Sequence, residues 1–245
     1  MSSAHELKFP VFGSAAGTVS EMGDVSALLL VPPKASCLYV FAHGAGAGMR
    51  HPFMEAAAME LANAGIATFR YQFPYMEHRR GAPDRPPVLT ATVRAAVTAA
   101  RESAPDLPLF AGGKSMGGRM TSQAAAEKVK APNGDENSGG LDGVHGLIFF
   151  GFPLHPPKQP AIKRAEHLHR VTLPMLFLQG TRDDLADLTL LKPLCEQLGD
   201  LATLHILEGA DHSFHVLKRS GTTDAEVLHN LAETVRSWTA GILKR

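Results

Sequence analysis

Cysteine is scarce in this chain. Two residues, Cys37 and Cys195, stand among 245, too few for a disulfide scaffold or a cysteine-rich zinc site. Cys37 falls in a strand-like run and Cys195 in a helix-like one, so both are expected as buried, inert thiols. Net charge is missing as well. Lys and Arg number 24, Asp and Glu 24, and no overall field favours nucleic acid. Apolar runs are short. Ala27–Pro33 is among the longest, far below the ~20 residues of a membrane span. The opening residues, Met1 to Glu6, carry no basic region followed by an apolar stretch, so no signal peptide is expected. A cytoplasmic protein is the expectation.

The 44% hydrophobic and 20% charged residues are globular values and exclude a wholly disordered chain. Short apolar runs alternate with longer amphipathic ones. Strands are predicted over Cys37–Ala42, Ile66–Phe73, Leu107–Ala111, Val144–Phe150, Pro174–Gln179 and Ala202–Leu207. Helices are predicted over Pro52–Ala64, Val88–Ser103, Met116–Lys128, Leu188–Leu198 and Ala225–Ile242. Leu7–Phe12 and Val25–Val31 read as an antiparallel hairpin. Such alternation calls for a mostly parallel sheet with helices on both faces. No break in composition divides the chain, and residues 1–245 read as one domain. The polar, turn-rich Lys130–Gly143 reads as a surface loop.

In open sheets of this kind, ligands bind beyond the carboxyl ends of the strands. After the strand at Leu107–Ala111 comes Gly113-Lys114-Ser115-Met116-Gly117, a G-x-S-x-G pattern between strand and helix. A sharp turn would expose the Ser115 hydroxyl, and glycines two positions either side would let strand and helix approach. Two rivals fail on spacing. A phosphate-binding P-loop needs glycine at position 108, which is Pro108; a dinucleotide fingerprint at His43–Gly48 needs glycine at 49, which is Met49.

A serine nucleophile needs a base, and the base an orienting acid. His212 follows the last strand, in Glu208-Gly209-Ala210-Asp211-His212-Ser213-Phe214. Asp183 and Asp184 follow the strand before it, in Gly180-Thr181-Arg182-Asp183-Asp184. Asp183 is preferred because it lies nearer the strand end. His212 could instead pair with Asp211 as an ordinary loop histidine. His43-Gly44-Ala45-Gly46-Ala47-Gly48 follows the strand Cys37–Ala42, and its Ala45 N–H, with that of Met116, would form an oxyanion hole. No cluster at metal-ligand spacing surrounds His212 and His215, so no metal and no cofactor are expected.

Together these segments resemble a known family. HGAGAG, GGKSMGGR, GTRD and GADHSF, with FRYQFPYM at Phe69–Met76, look like the α/β-hydrolases, and more narrowly like the small dienelactone-hydrolase-like proteins of the KANL/Tex type. The resemblance runs from about Val25 onward. It implies a twisted sheet of about seven or eight strands, with Ser115, Asp183 and His212 as triad and Gly113 and Gly117 at the elbow. Dienelactone hydrolases proper use a cysteine nucleophile. Position 115 is Ser, a departure that points away from dienelactone as substrate.

Gly151–Arg170 is broken by Pro153, Pro156, Pro157 and Pro160, so little or no lid is expected. Two basic segments follow strands: His78-Arg79-Arg80, and Lys158, Lys163, Arg164, His167, His169 and Arg170. They either select an anionic acyl substrate or form a solvated cationic face. The expected activity is hydrolysis of an ester, thioester or related acyl bond. A catalytically silent scaffold and an acyltransferase are the alternatives, and oligomeric state is left open.

Overall fold

The computed structural model describes residues 4–15, 18–129 and 138–244. An antiparallel hairpin opens it, β1 (His5–Ala15) and β2 (Thr18–Leu30). Then come β3 (Cys37–Ala42), α1 (Pro52–Asn63), β4 (Ile66–Tyr71), a short α2 (Pro74–Glu77) and α3 (Pro86–Ser103). The middle of the chain forms β5 (Leu109–Lys114), α4 (Met116–Ala126), the two-residue strands β6 (Lys128–Val129) and β7 (Ser138–Gly139), and β8 (Val144–Phe150). It closes with β9 (Met175–Gly180), α5 (Leu188–Leu198), β10 (Ala202–Leu207) and α6 (Asp224–Ile242).

Eight strands form one sheet in the order β1-β2-β4-β3-β5-β8-β9-β10. From β4 to β10 all neighbours are parallel; β1 and β2 add an antiparallel edge. The α/β class and the eight-stranded, mostly parallel sheet are as expected. Alternation along the strands makes two cores. Leu38, Val40 and Ala42 face one side, where Val93 of α3, Met120 of α4 and Leu191 of α5 cover them. Cys37, Tyr39 and Phe41 face the other, under Met54 and Leu61 of α1 and Leu231 and Val235 of α6. Every residue of β3, β4 and β9 is buried, as a sheet covered on both faces requires.

The helix ends follow local chemistry. α3 begins with Pro at its first positions, where a missing N–H costs nothing. Asp187 caps α5 by accepting from the Thr189 N–H at 2.8 Å. Thr223 and Glu226 form a reciprocal capping box at α6.

Several expectations need correction. The hairpin strands are longer than Leu7–Phe12 and Val25–Val31. The strand placed at Leu107–Ala111 is Leu109–Lys114 and runs straight into the elbow, because Gly112 and Gly113 can press against neighbouring backbone where a side chain could not. The strand expected to reach Phe73 stops at Tyr71, since Pro74 starts α2. The helix expected to reach Lys128 stops at Ala126, and Lys128–Val129 instead pairs with Ser138–Gly139. Of the expected loop Lys130–Gly143, positions 130–137 lie outside the described residues.

Candidate active site

The elbow is set by sterics. A β-carbon on Gly113 would sit 2.5 Å from the Ala42 carbonyl oxygen, and one on Gly117 would sit 2.6 Å from both the Ala42 and His43 oxygens. Backbone cannot yield at such distances, so both glycines are needed to bring β5 and α4 against β3. Between them Ser115 adopts φ 52°, ψ −118°, a conformation that L-residues avoid and that persists only where the surroundings enforce it. The Ser115 N–H holds the turn by donating to the Phe150 carbonyl at 3.0 Å.

The strand-end loops bring three side chains together. His212 Nε2 lies 2.9 Å from Ser115 Oγ, and His212 Nδ1 lies 2.8 Å from Asp183 Oδ2. A carboxylate only accepts, so Nδ1 carries the proton and Nε2 is free to accept from the serine hydroxyl. The Asp183 side chain is 1% exposed and that of His212 25%. Asp184 is exposed. Asp211 is engaged elsewhere: its Oδ1 accepts from the Ser213 and His215 N–H groups at 2.8 and 3.0 Å. Asp183 is fixed by two further donors, the Gln179 amide to Oδ2 at 2.5 Å and the Leu185 N–H to Oδ1 at 2.8 Å. His215 pairs with Asp224 at 2.8 Å.

The loop after β3 abuts the elbow. A β-carbon on Gly44 would meet Ser115 Cβ at 3.6 Å. Met116 is the first residue of α4, so its N–H has no partner within the helix. The Ala45 N–H has no backbone acceptor among the described residues. His43 fixes the base of this loop. Its Nε2 accepts from the Phe73 N–H at 3.1 Å, and its Nδ1 bonds the Gly44 carbonyl at 2.8 Å. Burial pushes His43 down to about 4, and the bond to Gly44 only partly offsets it, so the ring is neutral and structural.

Three contributors escaped sequence reading. Gln179 is the last residue but one of β9, and nothing in its spacing announces the bond to Asp183. Lys114 looked like the tail of a phosphate loop; its ammonium is in fact buried beside the site. Gly151 has φ +68°, which disfavours a side chain, and its Cα faces both Asp183 and His212, which a β-carbon would contact at 3.4 Å.

Among the described residues no helical insertion covers the site. Gly151–Ile162 is irregular and Lys163–Arg170 is a 3₁₀ turn. That turn is pinned to α4 by a 2.7 Å bond between His167 Nε2 and Ser122 Oγ. The Ser122–His167 pair is buried and, among the described residues, has no carboxylate on the imidazole, which makes it a packing contact. His155 ties the same segment to α5 by accepting from the Asp187 N–H at 2.9 Å. No described helix is long and apolar enough to cross a membrane.

Comparison with solved structures finds the same architecture. A dienelactone hydrolase from Anabaena variabilis ATCC 29413 superposes with a TM-score of 0.64 at 21% identity, over 96% of this chain and 98% of that one. A Xanthomonas campestris protein, described as an α/β serine hydrolase without lid, gives 0.68 at 20% identity, over 96% and 95%. The esterase domain of a Rhodothermus marinus protein gives 0.63 at 15%, over 96% and 97%. At these identities the likeness is one of fold. Family membership rests on sequence: residues 35–240 match the alpha/beta hydrolase domain family, and the chain belongs to it.

Proposed function

We propose that the protein is a serine hydrolase that cleaves an ester, thioester or related acyl bond. The observation that carries this reading is the continuous hydrogen-bonded path from Ser115 Oγ through His212 to Asp183. His212 takes the hydroxyl proton as Ser115 Oγ attacks the carbonyl carbon. Asp183 holds the ring tautomer and stabilises the imidazolium. The Met116 and Ala45 N–H groups stabilise the oxyanion, the first aided by the dipole of α4. His212 then protonates the leaving group, and water, deprotonated by the same ring, releases the acyl group.

The whole chain serves as one α/β-hydrolase unit, since the one sheet takes strands from both ends of the sequence. The substrate is a small molecule reaching an open site. An anionic acyl substrate is favoured by the segment 158–170: Lys163, Arg164 and Arg170 join none of the ion pairs among the described residues, whereas Arg80 is paired with Asp84 at 2.8 Å. A fluorophosphonate probe should label the wild-type chain and release of p-nitrophenol from a short ester should be measurable. Ser115→Ala should lose both with its circular dichroism unchanged. Full turnover by that variant would falsify the proposal.

A further inference from the structure

Lys114 precedes the nucleophile, yet acyl transfer as described gives its side chain no task. Its Nζ is buried with no hydrogen-bond partner among the described residues, an arrangement that costs free energy unless charge or rings nearby compensate. What surrounds it is specific. Phe53 of α1 stacks on Phe214 of the β10–α6 loop with centroids 5.8 Å apart. The ammonium lies 5.8 Å from the first ring and 5.5 Å from the second, a cation–π arrangement. Its remaining side is Gly151. A β-carbon there would be 3.2 Å from Lys114 Nζ, 3.4 Å from Asp183 Oδ2 and 3.4 Å from His212 Cε1. Ammonium, carboxylate and imidazole therefore converge on one backbone position, where the φ of +68° favours glycine.

The titratable groups facing Lys114 are Asp183 from the β9–α5 loop and Asp211 and His212 from the β10–α6 loop; α1 presents the Phe53 ring and β8 leads into the Gly151 backbone. Burial pushes the ammonium down to about 8, and Asp183 and Asp211 resist the fall, so the cation predominates at neutral pH.

We infer that Lys114 is a positioning residue of the hydrolytic site, a buried cation that balances Asp183 and opposes premature protonation of His212. The carboxylate alone would draw a proton onto the ring; a like charge beside the ring disfavours the imidazolium. The ammonium is closed off from solvent and does not touch substrate. This inference rests on the acyl-transfer reading.

The test is the pH dependence of kcat/KM on a p-nitrophenyl ester, and of the fluorophosphonate labelling rate, for the full chain. Lys114→Met fills the same space without charge and should move the acid limb up by roughly one pH unit, the size of a partly screened charge pair. Lys114→Arg should keep the wild-type limb. Rates that fall equally at every pH, with the limb unmoved in Lys114→Met, would mark Lys114 as packing only and overturn the inference. Should these variants fail to fold, the wild-type chain decides. The His212 Cε1–H resonance, assigned by its loss in His212→Gln, should show a second inflection near pH 8 as Lys114 titrates. A single inflection overturns the coupling. Failure of the underlying reading looks different: the wild-type chain goes unlabelled, or Ser115→Ala is labelled equally, while the resonance still reports on Lys114.

Discussion

At the scale of single residues, the Ser115 backbone is held in a conformation that costs of order 1–3 kcal/mol, and the surroundings hold it there. The proposed acid partner is equally specific. Asp183→Asn would keep the shape but replace one acceptor oxygen by a donor, and with that nitrogen toward the ring the wrong His212 tautomer is favoured. Its kcat should fall by roughly 10³–10⁴-fold, while Asp184→Asn, at an exposed position, should stay near wild type. Steady-state kinetics on one ester separates the two. The cysteines offer a control. Both are buried, and burial pushes the Cys195 thiol up to about 11 and raises Cys37. Iodoacetamide at neutral pH should therefore leave hydrolysis intact, which a cysteine nucleophile would not survive. Ser115, Asp183 and His212 were legible because each follows a separate strand in a fixed order. Lys114, Gln179 and Gly151 were not, because their parts depend on burial and on neighbours remote in sequence, and a lysine or glutamine carries no mark of either.

Among the elements, the β5–α4 turn leaves no room for a side chain at Gly113 or Gly117. Gly117→Ala would drive a methyl group into two backbone oxygens at 2.6 Å. Overpacking of this kind costs about 1–3 kcal/mol or more, and the turn itself would shift. A lowered melting temperature together with loss of fluorophosphonate labelling is expected; a melt and a labelling assay on the same sample check it. The clasp between α4 and the 3₁₀ turn has a pH signature. Ser122 Oγ donates to the Arg119 carbonyl at 2.9 Å, so His167 Nε2–H donates to Ser122. Burial, then Arg119 and Arg170, push His167 down to about 4, against ~6.5 for an unfolded histidine. The unfolded chain therefore binds more protons between those values. The stability that this neutral ring contributes is fully present above about 6.5 and is lost as pH falls toward about 4. His43 adds a slope of the same sign. Thermal melts across that window should decline for the wild-type chain and decline less for His167→Gln. Element boundaries were read within a few residues wherever an apolar run ended at glycine or proline. They failed at β2, which continues through Gly23 back to Thr18, at β5, whose last residues Gly112-Gly113-Lys114 carry no apolar side chain, and at α2, a single turn too short to show a helical period.

For the whole molecule, periodicity gave the class but not the neighbour order. Parallel partners such as β3 and β5, or β5 and β8, are joined through backbone pairing that side-chain pattern does not encode. The cationic segment 158–170 also belongs to this scale, since it lies in the crossover from β8 to β9 and packs on α4 through His167. Matched esters with and without a carboxylate on the acyl chain test its role. A preference of at least several-fold for the charged ester, fading with added salt, is expected. Equal rates would reduce the segment to a solvated face.

The strand order has a kinetic consequence. Ser115, Asp183 and His212 come from loops after β5, β9 and β10, which meet only when parallel strands distant in sequence have docked side by side, and such non-local pairing is slow. Competence to react with a fluorophosphonate should thus be the last property regained during renaturation from denaturant, later than helical ellipticity. The proposed nucleophile becomes a stopwatch for completed assembly.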